Sequence, residues 1–261
     1  MKIVAERIEN DSRYYADEDG VEYLSVTSLL SKYSDKTTLI KWRERIGDEA
    51  ADAIVAEAVL NGKKAHSQIE DYFDNKDFIV DDIFAKRALD DFYSRVQLVA
   101  CEEVVSYVDD DTGAAYAGRY DQLVYIPEKT FYYEDDLEEY VPSGNYLADL
   151  KTKRRLPSLS SYSFYVKHLL QGSAYFNAVR HLDIAGFVMV CVGKRKSRLF
   201  TIDTELLEYY WSLYERMLID YYGDRRYLKT FWNEFVDKPI DHITHLQQYV
   251  SYQPRVILPV Q

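Results

Sequence analysis

The tripeptide Asp149-Leu150-Lys151 sets an acid and a base two positions apart, at the end of an apolar run that begins at Tyr146. Side chains on a β-strand alternate between faces, so Asp149 and Lys151 point to one side and Leu150 to the other. A carboxylate placed there can hold a metal ion while the neighbouring ammonium positions a water, a pairing suited to phosphodiester hydrolysis. An ordinary surface ion pair reads the same way, so the choice rests on partners elsewhere in the chain.

Three further groups bear on it. Gly62 and His66 stand four apart in Asn61-Gly-Lys-Lys-Ala-His66, one turn of a helix, with the glycine permitting a close backbone approach. Asp121 interrupts the segment from Ala117 to Val124. Aspartate is disfavoured in strands, and a buried one needs a cation or hydrogen bonds. Gln171 and Tyr175 share a helix face, with Lys167 and His168 one turn earlier. Each also has a plain structural reading: a solvated helical histidine, an exposed acid near a turn, a hydrogen-bonded helix face.

The elements that must position these groups follow from periodicity. Residues 13–27 read as a hairpin turning at Asp19-Gly20. Ser25 or Thr27 can cap a short helix through Leu29, Leu30 and Tyr33. A second helix is expected over 36–45, closed by Gly47, then an amphipathic helix over 49–73 and another over 83–99. The period then changes, giving strands over 102–108, 114–126 and 145–151, with an acidic, tyrosine-rich insertion at 127–146. A helix over 161–181, strands at 184–192 and 197–202, and helices at 204–222 and 225–236 follow; the last stretch reads as irregular or extended. This order predicts an α/β fold with a mixed sheet and helices on both faces. No internal repeat or boundary interrupts it. One domain is expected over 1–261: an N-terminal hairpin and helical extension (1–48), a core (49–203), and C-terminal helices and tail (204–261).

Composition limits the partners. The chain has 261 residues and is 47% hydrophobic, enough for one large core. Its formal net charge of -12 gives it no global attraction for nucleic acid. Any such site must be a local basic groove, for which Lys63, Lys64, Lys153-Arg154-Arg155 and Lys167 are available, or must be bridged by metal ions. Cys101 and Cys191 lie in apolar runs and read as buried thiols; two cysteines cannot supply the four that an iron–sulfur cluster takes. No apolar run is long enough for a transmembrane helix. The N-terminal residues lack the apolar core of a secretory signal and are too acidic for a transit peptide. A cytoplasmic or nucleoid-associated setting is expected, the host cytoplasm if the chain is viral. The 25 tyrosines suit packing before base stacking, since their rings fill space and their hydroxyls find partners.

Taken in order, Gly62–His66, Asp121, Asp149–Lys151 and Gln171–Tyr175 resemble the motifs of the PD-(D/E)xK nuclease superfamily, in its RecB-like exonuclease branch. The resemblance covers residues 25–203. Ser25-Val-Thr-Ser-Leu-Leu-Ser31 and Lys41-Trp-Arg-Glu-Arg45 further resemble stand-alone exonucleases of that branch, from phages and mitochondria. The resemblance implies a restriction-endonuclease-like mixed β-sheet flanked by helices, with an N-terminal helical extension. It implies a metal-dependent DNA exonuclease working on single strands or DNA ends in replication, repair or recombination. His66, Asp121, Asp149 and the Leu150 carbonyl would then ligate Mg2+ or Mn2+, without an iron–sulfur cluster. Lys151 would act with Asp149 and Asp121 in catalysis, orienting the attacking water or stabilising charge on the phosphate. Gln171, Tyr175 and Lys153 would position the substrate. The chain departs from the pattern in having Tyr120 before Asp121 where a proline often stands, and in its long acidic insertion. A structure-specific endonuclease, or a non-catalytic nucleic-acid-binding module on the same fold, remain alternatives. DNA is the expected partner in each case, and no membrane.

Overall fold

Residues 2–223, apart from 11, 35, 128, 133–137 and 157–161, are described by the structure, a computed structural model. The chain begins with strands β1 (Ile3–Glu9), β2 (Ser12–Asp17) and β3 (Glu22–Ser25), paired antiparallel in that order. Asp17 builds the turn between the last two: its Oδ1 accepts from the backbone of Asp19 and Val21, and Gly20 takes φ 78, a conformation that favours glycine. Ser25 then caps α1 (Val26–Tyr33) by accepting from the Ser28 amide. Helix α2 (Thr37–Ile46) stops at Gly47, φ 85, and α3 (Asp48–Asp74) starts at once, with Asp48 and Glu49 complementing its N-terminal dipole. Asp82 caps α4 (Ile83–Asp91) through the amides of Phe84 and Ala85. Gln68 of α3 accepts from the amides of Asp81 and Asp82, which locks α3 against the start of α4.

Helix α4 is shorter than the 83–99 expected. After it come a 3-10 turn at Tyr93–Arg95 and strand β4 (Gln97–Cys101). The reason is long-range: β4 pairs with a strand some 25 residues later in the chain, and that pairing outweighs the local helical pattern. The expected strand 114–126 is likewise two strands, β6 (Ala115–Arg119) and β7 (Gln122–Ile126), which follow β5 (Val104–Val108). β5 pairs with β6 and β4 with β7, so the four make one long hairpin that bends at Glu102-Glu103 and Tyr120-Asp121. Its outer half joins the N-terminal strands in a five-stranded sheet ordered β1-β2-β3-β6-β5. Its inner half joins a second five-stranded sheet.

That second sheet is central. Beyond a small hairpin, β8 (Lys129–Tyr132) and β9 (Glu138–Val141), inside the acidic insertion, β10 (Gly144–Thr152) runs between β7 and β11 (Ile184–Val192), with β12 (Ser197–Asp203) outermost. β10 and β11 are parallel, and the other pairs are antiparallel. Helix α5 (Tyr162–Ala178) makes the crossover between β10 and β11, and α6 (Thr204–Tyr222) follows β12. One face of the sheet, through Leu123, Leu147, Met189, Phe200 and Ile202, packs with α1, α5 and α6. The other, through Val124, Ala148, Leu150, Val188 and Val190, packs with α3 and α4. The fold is therefore α/β, with two mixed sheets flanked by helices. Alternation along β10 puts Leu147 and Asp149 on the α5 side and Ala148 and Leu150 on the α4 side. Many of the described tyrosines fill these cores: Tyr15, Tyr93, Tyr116, Tyr120, Tyr210 and Tyr214 are among the largest fully buried side chains. Cys191 is buried, but Cys101 is only partly so, and both are free thiols. The expected helix 225–236 and the tail lie outside the described residues.

Candidate functional site

The site forms where a β-ladder ends. β10 pairs with β7 from Gly144↔Ile126 to Ala148↔Gln122, and no further, because the chain bends away at Asp121. The next backbone groups of β10 on that edge are taken up by side chains. The Leu150 amide donates to Asp121 Oδ2 at 3.1 Å, and His66 Nε2 donates to the Leu150 carbonyl at 2.9 Å. His66 Nδ1 lies 3.6 Å from the same Asp121 oxygen. Helix α3 thus reaches across the end of the sheet with His66, held in place by Gln68 two residues on. Asp121 is not inside an apolar strand, as its sequence context suggested, but at the bend between two.

The other arm of the bent hairpin supplies a residue that the sequence reading did not single out. Glu102 lies between β4 and β5 at φ 52, a left-handed conformation unusual for a side-chain-bearing residue. Its amide donates to the Asp121 carbonyl at 2.9 Å, so the two bends lock together. His66, Glu102 and Asp121 each offer a ligand atom, and these atoms lie within 4.8 Å of one another. Arg119 extends between Glu102, at 3.7 Å, and Glu6 of β1, at 3.3 Å. Burial, then repulsion from Asp121 and Glu70, pushes the Glu102 carboxyl above its ordinary range. Glu70, one turn after His66, is raised by burial as well. A divalent cation would relieve this crowding of acids. An imidazole, two carboxylates and a backbone carbonyl form a donor set that fits Mg2+ or Mn2+.

Asp149 and Lys151 share one face, as the strand alternation predicts, and pair closely: Lys151 Nζ donates to Asp149 Oδ1 at 2.7 Å. Asp149 is 4% exposed and feels the charge of Asp121. Burial raises its pKa, offset by Lys151. Burial also works against the charge of Lys151, yet Asp149 and Asp121 hold its ammonium above the usual lysine value. Around this pair α5 packs a polar stripe. Gln171 Nε2 donates to Asp149 Oδ1 at 3.5 Å and also bonds Tyr175 and His168. Burial, then Lys151, pushes His168 down to about 3, so it is neutral. Gln171 and Tyr175 are both buried. Tyr175 fits only because position 118 is glycine: a Cβ there would come within 2.6 Å of its ring. Gly62 is different, since a Cβ there would meet only Thr152 Oγ1 at an ordinary 3.7 Å. Lys153 follows β10, its ammonium lowered by burial and by Lys151.

The structure thus brings together His66, Asp121, the Leu150 carbonyl, Asp149, Lys151, Gln171 and Tyr175, and adds Glu102. The signal for Glu102 in the sequence was slight: the first of two glutamates after Cys101, at the start of the strand expected over 102–108. No protein-family model and no curated protein matches this chain. Among solved structures, the chain is similar to the crystal structure of SSO0001, at 12% identity and a TM-score of 0.39, covering 84% of this chain and 83% of that one.

Proposed function

We propose that this protein is a metal-dependent deoxyribonuclease that hydrolyses phosphodiester bonds, acting as an exonuclease on single strands or DNA ends. The observation that carries the reading is the end of the β10–β7 ladder. There the Leu150 backbone is met by Asp121 and His66, with Glu102 against them and the paired Asp149 and Lys151 on either side of Leu150 along the strand. His66, Glu102, Asp121 and the Leu150 carbonyl would hold Mg2+ or Mn2+, with Asp149 close by. When bound, the ion would polarise the scissile phosphate and acidify a water.

The remaining steps belong to the protein. Lys151 stays protonated, because Asp149 and Asp121 sustain its charge against burial. It therefore donates hydrogen bonds and does not act as the base that removes the water proton. An ammonium so placed orients the attacking water and offsets negative charge growing on the phosphate oxygens. Gln171 keeps the Asp149 carboxylate turned toward Lys151, and Tyr175 with the neutral His168 keeps Gln171 in position. Lys153 adds positive charge one step along the strand, in a protein whose total charge is negative.

Replacement of Lys151 by alanine should lower cleavage of labelled DNA about a hundredfold or more while leaving the fold intact. Undiminished cleavage by that variant in Mg2+ would remove the basis of the proposal, as would wild-type activity in excess EDTA. End-labelled linear DNA should be degraded and closed circles left whole. Nicked circles would instead make the enzyme an endonuclease, and binding without cleavage in Mg2+ and Mn2+ would make it a binding module.

A further inference from the structure

Lys41-Trp-Arg-Glu-Arg45 lies on α2, away from the cluster just described. No residue of this ten-residue helix is buried. Trp42 is half-buried, and Leu39 and Ile40 stand in the open at 48% and 53% exposure. Helices of this length owe most of their stability to packing, so an apolar, tryptophan-bearing face left in water calls for a partner. The charge of α2 is opposite to that of the protein. Lys36 at its N-cap, Lys41, Arg43 and Arg45 face a single acid, Glu44, in a chain of net charge -12. Arg43 is neutralised by Asp48 at 2.9 Å and Asp52 at 2.6 Å. Lys41 and Arg45 enter no ion pair among the described residues. With Thr38, Leu39 and Trp42 they line a cleft of about 620 Å³.

Cations connect this helix to the cluster. Lys167 of α5 is lowered by burial, then by the ammonium groups of Lys151 and Lys36, so both lie near enough to repel it. Lys36, at the N-cap of α2, and Lys151, at the strand end, thus both act on Lys167. An aromatic ring flanked by unpaired cations suits an unpaired base between two phosphates. A duplex hides the faces of its bases inside the stack, whereas a single strand offers them.

We propose that α2 is a subsite for single-stranded nucleic acid, in which Trp42 stacks on a base and Lys41 and Arg45 take the flanking phosphates. The strand leaves the metal-ligand cluster past Lys167 and Lys36. The proposal rests on the nuclease reading of that cluster and identifies where its substrate extends.

The test is fluorescence anisotropy of the full chain with labelled oligothymidylates of about four and about twenty nucleotides, with Ca2+ replacing Mg2+. Trp42→Ala should weaken binding of the long strand about tenfold, more than that of the short one, and Trp42→Phe should restore most of it. The double variant Lys41→Ala/Arg45→Ala removes no packed group. It should lower the slope of log affinity against log salt for the long strand by about 1.4. Unchanged long-strand affinity in both variants, or an equal loss on the two lengths, overturns the subsite. If the wild type still cleaves DNA in Mg2+ in that case, the nuclease reading stands without it. A wild type that binds and cleaves neither strand overturns both.

Discussion

Glu102 bears most directly on whether the cluster is built for a cation. Its carboxylate is pressed by burial, Asp121 and Glu70, so ionising it costs more in the folded protein than in the unfolded chain. Replacing it with glutamine removes that repulsion and keeps the shape. The contact to Arg119 that is lost is long and partly exposed, and worth little. The Glu102→Gln protein should melt a few degrees higher than wild type in EDTA at neutral pH, and should gain less from Mg2+. Differential scanning fluorimetry decides it. A variant that melts lower in EDTA and keeps the full Mg2+ response would show that Glu102 serves the backbone bend alone. Lys151 gives a second expectation at the same scale. Its ammonium is held above the ordinary lysine value, so cleavage should not fall as pH rises from about 7 to about 9 for want of a protonated lysine. A decline over that range, abolished by Lys151→Arg, would show that Lys151 loses its proton earlier.

At the scale of elements, Gly62 and Gly118 behave in opposite ways. Gly62 lies within α3, where alanine is the better helix former and a Cβ has room. Gly62→Ala should raise stability by about 0.5–1 kcal/mol in chemical denaturation, contrary to the close approach that its spacing from His66 suggested. Gly118 lies in β6, where a Cβ would strike Tyr175 at 2.6 Å and Val26 at 2.9 Å. Gly118→Ala should cost about 1–3 kcal/mol and displace the ring that steadies Gln171. Equal effects of the two substitutions would contradict this packing. The contrast marks what could be read from sequence. The α3 helix with His66, the β10 face shared by Asp149 and Lys151, and the α5 face of Gln171 and Tyr175 follow from local period, and each was legible. The bend was not. It exists because β4 finds β7 across some 20 intervening residues, outside the local turn that joins β5 to β6, and no local pattern carries a pairing of that range. With the bend went the end of α4 at Asp91, the place of Asp121 outside any strand, and the role of Glu102.

For the molecule as a whole, pH and metal should oppose one another. The carboxyls fall into two sets. Asp17, Glu22, Asp81 and Asp109 are held below their ordinary values by hydrogen bonds, so their contribution is intact above the acidic range and is lost only as pH falls through the lowered values. Glu70, Glu102 and Asp149 are raised, chiefly by burial. For these the folded state binds protons at a pH where the unfolded chain has released them, so folding gains as pH drops through the raised values. Between about pH 8 and about pH 5 the raised set favours folding as pH falls, while His168, held down to about 3 by burial, opposes it, because the unfolded chain takes up a proton there that the folded protein does not; the metal-free stability follows the difference between the two. A cation held by His66, Glu102 and Asp121 supplies the same neutralisation as those protons and competes with them. The rise in melting temperature caused by Mg2+ should therefore be larger at about pH 8 than at about pH 5, so that stability falls more on acidification with Mg2+ present than in EDTA. Thermal melts over that range, with and without the ion, measure both. A Mg2+ effect of equal size at the two ends would mean that the ion binds elsewhere on this acidic surface, away from the end of the β10 ladder.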